Sequence, residues 1–264
     1  MISKALTALL IILVCHLGGS APAQSSPPMF DRSGVNWHSL AFESKKFLGT
    51  VNTRVVLEQF AADAVEGELI ESPRGEDSKP SGPWVFHLTT NSTVDPLVGS
   101  DELLVTRVWF SSQEATALQR IRLRKGKEKW EKTYRWTQSG VYRLRLKPEG
   151  ADEENLPVGR WTNKRPSFYP YDLEQRECPS VSDPSALLYV ASAAGLAVGD
   201  PPRHLCAFNK KQLHRVQFQV EKSQLLKINY LEKTQHGETR KDGEVEVLKI
   251  SFTTRSLFAD EGRA

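Results

Sequence analysis

Asp183-Pro184-Ser185-Ala186-Leu187-Leu188-Tyr189-Val190-Ala191-Ser192-Ala193-Ala194 is the one run in this chain that reads as a helix. The rest reads as strands and turns, so this run decides the fold. Asp183 is placed to accept hydrogen bonds from the first free amides, and Pro184 at the first helical position gives up no bond it needed. Leu187, Leu188, Ala191 and Ala194 or Gly195 then draw one apolar stripe, which Tyr189, Val190 and Ala193 widen. Gly195 and Gly199 offer stop positions, and Pro201-Pro202 forbid continuation. A helix of about 11 residues is marginal alone and must be held by packing. The expected fold is mainly β: a strongly curved antiparallel sheet or half-barrel around one short buried helix near 184–194.

Two cysteines bracket the helix. Cys178 and Cys206 are 28 residues apart, and the third cysteine, Cys15, lies in an N-terminal leader. That leader carries Lys4, an apolar run from Ala5 to Leu17 and the small residues Ala21-Pro22-Ala23, the pattern of a secretory signal cleaved after Ala23. Its apolar run is short for a bilayer span. Cys15 follows Leu13-Val14, a flank unsuited to lipid attachment. The expected compartment is therefore the periplasm, with no membrane-spanning segment. There an oxidised Cys178–Cys206 pair is expected, against the alternative of two separately buried thiols.

Of the 264 residues, about 240 follow the leader, enough for one large β domain. The organisation reads as a signal peptide over 1–23, a Pro/Ser-rich linker over 24–34, a single β domain over 35–256 and a flexible tail over 257–264. Within the domain, strands are expected at 36–60, 83–90, 102–111, 117–124, 129–137, 141–147, 204–208, 213–221, 225–232 and 245–254. Lys125-Gly126-Lys127, Gln138-Ser139-Gly140 and Lys222-Ser223 read as hairpin links, so neighbours should pair antiparallel. Residues 72–83 shift to Pro, Gly, Ser and charge, the composition of an exposed, mobile loop.

Net charge is only +3, but eleven Lys or Arg against two Glu fall between Arg120 and Lys147, a local +9. Arg120, Arg122 and Arg124 share one face of a strand. In the next hairpin Tyr134 and Trp136 share a face, as do Tyr142, Leu144 and Leu146, with Arg135, Arg143, Arg145 and Lys147 opposite them. The expected sheet is aromatic and aliphatic on one side and cationic on the other. Such a platform could grip phosphate or carboxylate groups through Arg122, Arg124, Arg143 and Arg145, with Trp136 and Tyr142 lining an apolar side. The same pattern also fits an ordinary half-buried sheet with a solvated outer face, whose charge discourages edge pairing. A second candidate runs from Trp161 to Asp172. Trp161, Tyr169, Tyr171 and Asp172, interleaved with cations and prolines, suit either a ligand-facing loop or a closure of the core.

Catalytic and metal signatures are weak. His204 and Cys206 lie two apart on one strand, without the close ligand pairs of a zinc site. There is no G-x-S-x-G elbow and no glycine-rich phosphate cradle. The reading is of no metal, no cofactor and no catalytic set. Nucleic acid is the usual partner of a basic patch, but an exported protein rarely meets it. The expected partners are anionic lipid, an envelope polymer or an envelope protein.

The C-terminal half resembles a group of exported bacterial β-rich proteins of the domain-of-unknown-function kind. The resemblance is carried by Tyr171-Asp172, by the Pro184-Ser-Ala-Leu-Leu-Tyr helix, by the Leu196-Ala-Val-Gly-Asp200 exit and by Val247-Leu-Lys-Ile-Ser. It implies a curved antiparallel sheet wrapped on a helix, similar in outline to the lipoprotein carriers of the periplasm, which hold acyl chains in an apolar concavity. The functional expectation is a non-enzymatic binding or carrier module for an apolar or amphipathic envelope ligand. The alternative is a structural or assembly factor contacting envelope proteins through the basic hairpins.

Overall fold

The structure, a computed structural model, describes residues 30–46, 49–97, 99–171, 178, 180–234 and 236–257. The expected signal peptide, its cleavage point at Ala23, and most of the expected linker and tail lie outside the described residues. The first eight strands are β1 (Ser39–Lys46), β2 (Gly49–Ala61), β3 (Trp84–Pro96), β4 (Glu102–Ser111), β5 (Ala117–Lys125), β6 (Trp130–Thr137), β7 (Gly140–Lys147) and β8 (Asn163–Pro170). They form one open antiparallel meander in chain order, a half-barrel that does not close. A second sheet is ordered β12–β11–β10–β9, from β9 (Val181–Ser182), β10 (Arg203–Asn209), β11 (Gln212–Thr234) and β12 (Gly237–Ser256). Its short β9 runs parallel to β10, so not every neighbour is antiparallel.

The helix sits between the sheets. A 3-10 turn over Pro184–Ala186 leads into α1 (Leu187–Ala193). Asp183 caps the turn by accepting from the Ser185 amide at 2.8 Å, and Gly195 follows the helix at φ +57, the left-handed conformation glycine adopts without strain. The buried stripe is Ala186, Tyr189, Val190 and Ala193, whereas Leu187, Leu188 and Ala191 are only half-buried. The helix is thus rotated from the expected stripe, because Tyr189 takes the centre. Its ring lies 5.0 Å from Phe86 and 5.1 Å from Phe110, and its hydroxyl donates to the Ser112 carbonyl at 2.9 Å. Burial raises the Tyr189 pKa well above the usual phenol range. Val55, Leu57, Phe86, Leu88, Val108 and Phe110 from the first sheet close one core with α1 and with Leu205, Ala207, Val216, Phe218 and Val220 from the second.

The bracket around the helix is a disulfide between Cys178 and Cys206, with Cα atoms 5.6 Å apart. Cys206 packs with Trp136, Val141, Phe208 and Leu213. Beside it a buried ion pair ties β5 to the turn that leads into α1: Arg120 donates to Asp183 at 2.6 Å, with side chains 10% and 0% exposed. Asp183 therefore serves two acceptor roles, one for the helix and one for β5.

Two expectations are corrected here. Residues 72–83 are largely exposed, as expected, but they are tied down: Arg135 donates to the Ser78 carbonyl, the Ser78 amide donates to the Trp136 carbonyl, and the Ser81 amide donates to the Ser111 hydroxyl. That loop covers the outer face of β4–β6 instead of hanging free. Lys222-Ser223 is also no hairpin link. It continues β11 through a bulge, so that Val220 pairs with Ile250 and Lys222 with Lys249. The consequence is a ribbon of two strands that runs far beyond the core: between Glu221 and Lys249 no described residue is buried.

Candidate functional site

Antiparallel partners lying directly opposite share a sheet face. Arg120 pairs with Val108, a core residue, so Arg120, Arg122 and Arg124 project from the same inner face that carries the core. Arg120 pairs onward with Tyr134, Tyr134 with Arg143 and Arg143 with Ser167. The next row is Arg122, Lys132, Arg145 and Arg165, one residue on each of β5, β6, β7 and β8. Beyond it lie Arg124, paired with Trp130, and Lys147, paired with Asn163.

This overturns the expected division into an aromatic side and a cationic side. Tyr134 and Trp136 share their face with Arg143 and Arg145, whereas Tyr142 is opposite Arg135 and Phe168 on the outer face. The reason is the turn. Two residues, Gln138 and Ser139, separate the paired Thr137 and Gly140, so even-numbered residues of β6 face the same way as odd-numbered residues of β7. Cations and rings are interleaved on one surface.

The charges on that surface are unequally balanced. Arg120 is taken by Asp183, and Arg124 makes two hydrogen bonds of 2.8 Å to Glu102. Arg143 donates to the Ser167 hydroxyl at 2.9 Å and lies 5.3 Å over the Tyr169 ring. Among the described residues, Arg122, Lys132, Arg145 and Arg165 have no carboxylate within ion-pair distance. Trp130 lies beneath two of them, 4.1 Å from the Lys132 ammonium and 5.8 Å from the Arg122 guanidinium. The Nε atoms of Arg143 and Arg145 are buried without a hydrogen-bond partner among the described residues. Burial lowers the Arg122 pKa, and the neighbouring Arg120 charge lowers it further. Burial likewise lowers the Lys132 pKa, followed by repulsion from Arg122, Arg143, Arg145 and Lys147. A face that destabilises its own cations is one that an anion relieves.

The residues expected to bind ligand separate accordingly. Arg122, Arg143 and Arg145 come together on the inner face, and Tyr169 borders them at the Phe208 ring, 5.7 Å away. Trp136 and Trp161 are 1% and 2% exposed, too deep to meet a ligand in this conformation. Tyr142 is buried on the far face, and Arg124 is neutralised. The half-buried Tyr171 packs beside the disulfide, and burial raises its hydroxyl pKa. Asp172 lies outside the described residues. The stretch expected as a ligand-facing loop is largely strand β8. Lys132 and Trp130 join the site unforeseen, and Arg165 enters it from the second candidate stretch, Trp161 to Asp172; counting residues through each turn would have brought them together.

Among the described residues no helix is long and apolar enough to cross a membrane, and no cluster of three His, Cys, Asp or Glu side chains could hold a metal ion. No protein-family model matches this chain, and no curated protein and no solved structure matches it.

Proposed function

We propose that the protein is a non-enzymatic binding or carrier module of the periplasm whose ligand is an amphipathic anion of the cell envelope. The supporting observation is the row Arg122–Lys132–Arg145–Arg165, unpaired among the described residues, half-buried at three of its four members and floored by Trp130. Guanidinium groups at partial depth suit a phosphate or carboxylate, which they can grip through two parallel hydrogen bonds. Neighbouring rings suit the first methylenes of an acyl chain. A purely apolar ligand gains nothing from the cations and has to dehydrate them, so the amphipathic form of the ligand is favoured.

The test is a titration followed by tryptophan fluorescence, using dodecyl phosphate and, in parallel, a neutral dodecyl glycoside below their micellar concentrations. Saturable binding of dodecyl phosphate is expected. Arg122→Ala and Arg145→Ala should each weaken it about 10-fold or more, since a hydrogen bond to a charged group contributes about 1.5–3 kcal/mol. Equal binding of the two amphiphiles, or wild-type affinity in both variants, overturns the reading.

A further inference from the structure

The ribbon formed by the far halves of β11 and β12 has no counterpart in the site above. It carries Leu225, 71% exposed, with Leu226, Tyr230, Leu231, Val245 and Leu248 exposed beside it. A two-stranded ribbon alone in water is marginal, and apolar side chains on both of its faces call for a cover. Its charges indicate what that cover is. Lys233 pairs with Glu238, Lys241 with Glu232 and Lys249 with Glu221. Asp242, Glu244 and Glu246 are exposed and have no cation within ion-pair distance among the described residues. They alternate along β12, the edge strand of its sheet, so they point to one side together with Leu248. Leu225 lies opposite Glu246 on that side; Lys227 and Arg240 also share it, Lys227 on the inner strand and Arg240 donating to Asn229.

The same chain presents the complementary surface. Arg122 to Arg165 crosses four neighbouring strands, about 14 Å at the usual strand spacing, and Asp242 to Glu246 covers four residue rises, also about 14 Å. An edge strand laid across β5–β8 brings three free carboxylates over four free cations and lowers Leu225 and Leu248 toward Trp130. We infer that two copies of this chain exchange ribbons, the acidic edge of each β12 lying across the cationic row of the other. The contact uses the same cations as the amphiphile reading but needs no amphiphile. It is isologous, so it closes at two copies.

Sedimentation of the whole mature chain tests this. A dimer is expected at low ionic strength, dissociating steeply as salt rises. Glu244→Lys with Glu246→Lys reverses the ribbon, and Arg122→Glu with Arg145→Glu reverses the row. Each double variant should be monomeric alone. Mixed in equal amounts they should form a heterodimer, because the reversed ribbon then meets the reversed row and the native ribbon the native row. A wild-type chain monomeric at all concentrations, a dimer that survives either reversal, or a mixture that stays monomeric overturns the inference. Should the reversed row fail to fold by circular dichroism, Arg122→Gln with Arg145→Gln replaces it, with loss of the dimer expected and its retention overturning the proposal. The ribbon-reversed monomer keeps its row intact, so its dodecyl phosphate titration reports on the amphiphile reading separately.

Discussion

Lys132 sits where the proposed function has a measurable signature. Its ammonium is held below the ordinary lysine value of 10.5, first by burial and then by Arg122, Arg143, Arg145 and Lys147. An anion placed among these cations stabilises the charged lysine and pushes its pKa back up. Between the lowered pKa and the restored one, the bound state holds more protons than the free state. Binding of dodecyl phosphate should therefore take up protons in the alkaline range below 10.5, and affinity should fall as pH rises through the lowered value. Calorimetry in two buffers of different ionisation enthalpy reads the uptake directly, and Lys132→Met should remove it. Proton release, or no linkage in the native protein, would exclude Lys132 from the contact. Arg143 is less suited to this role, since Ser167 and the Tyr169 ring already hold it.

The helix and its disulfide form a clasp whose strength can be measured. Cys178 and Cys206 enclose β9, α1 and the turn between them, a span of 28 residues. In the chain-entropy account such a closure contributes about 3–4 kcal/mol by restricting the unfolded chain. Cys178→Ser with Cys206→Ser should lower unfolding free energy by that amount in urea, with the slope rising as the unfolded chain expands. A loss under about 1 kcal/mol would mean that the Arg120–Asp183 pair and Tyr189 alone suffice. This element was legible in the chain: Asp183, Pro184 and Gly195 mark its ends by short-range rules, and the half-barrel follows from alternation. What escaped depended on counting across turns. The alternation within β6 and within β7 is plain in the sequence, but the two-residue turn at Gln138-Ser139 decides which faces coincide, and Tyr134 thereby joins Arg143. The bulge after Val220 is hidden for a related reason, because Lys222-Ser223 has the composition of a turn while the strand keeps its partner.

At the scale of the molecule, burial divides the chain into a packed part and an outlying part. The core draws on both sheets and α1, while none of the described residues of the ribbon beyond Val220 and Ile250 is buried. Replacing Ser223–Leu248 with a two-residue Asn-Gly turn should thus leave the stability of the remainder within about 1 kcal/mol, measured by urea unfolding in high salt. A larger loss would show that the ribbon supports the core. The half-barrel itself stops at eight strands and so has two rims. Pro166 and Pro170 lie in the rim strand β8 and lack the amide hydrogens that an incoming strand would need there, whereas β1 contains no proline. Growth of the half-barrel by strand addition is open at one rim and hindered at the other, so two half-barrels that met this way would stop at a pair.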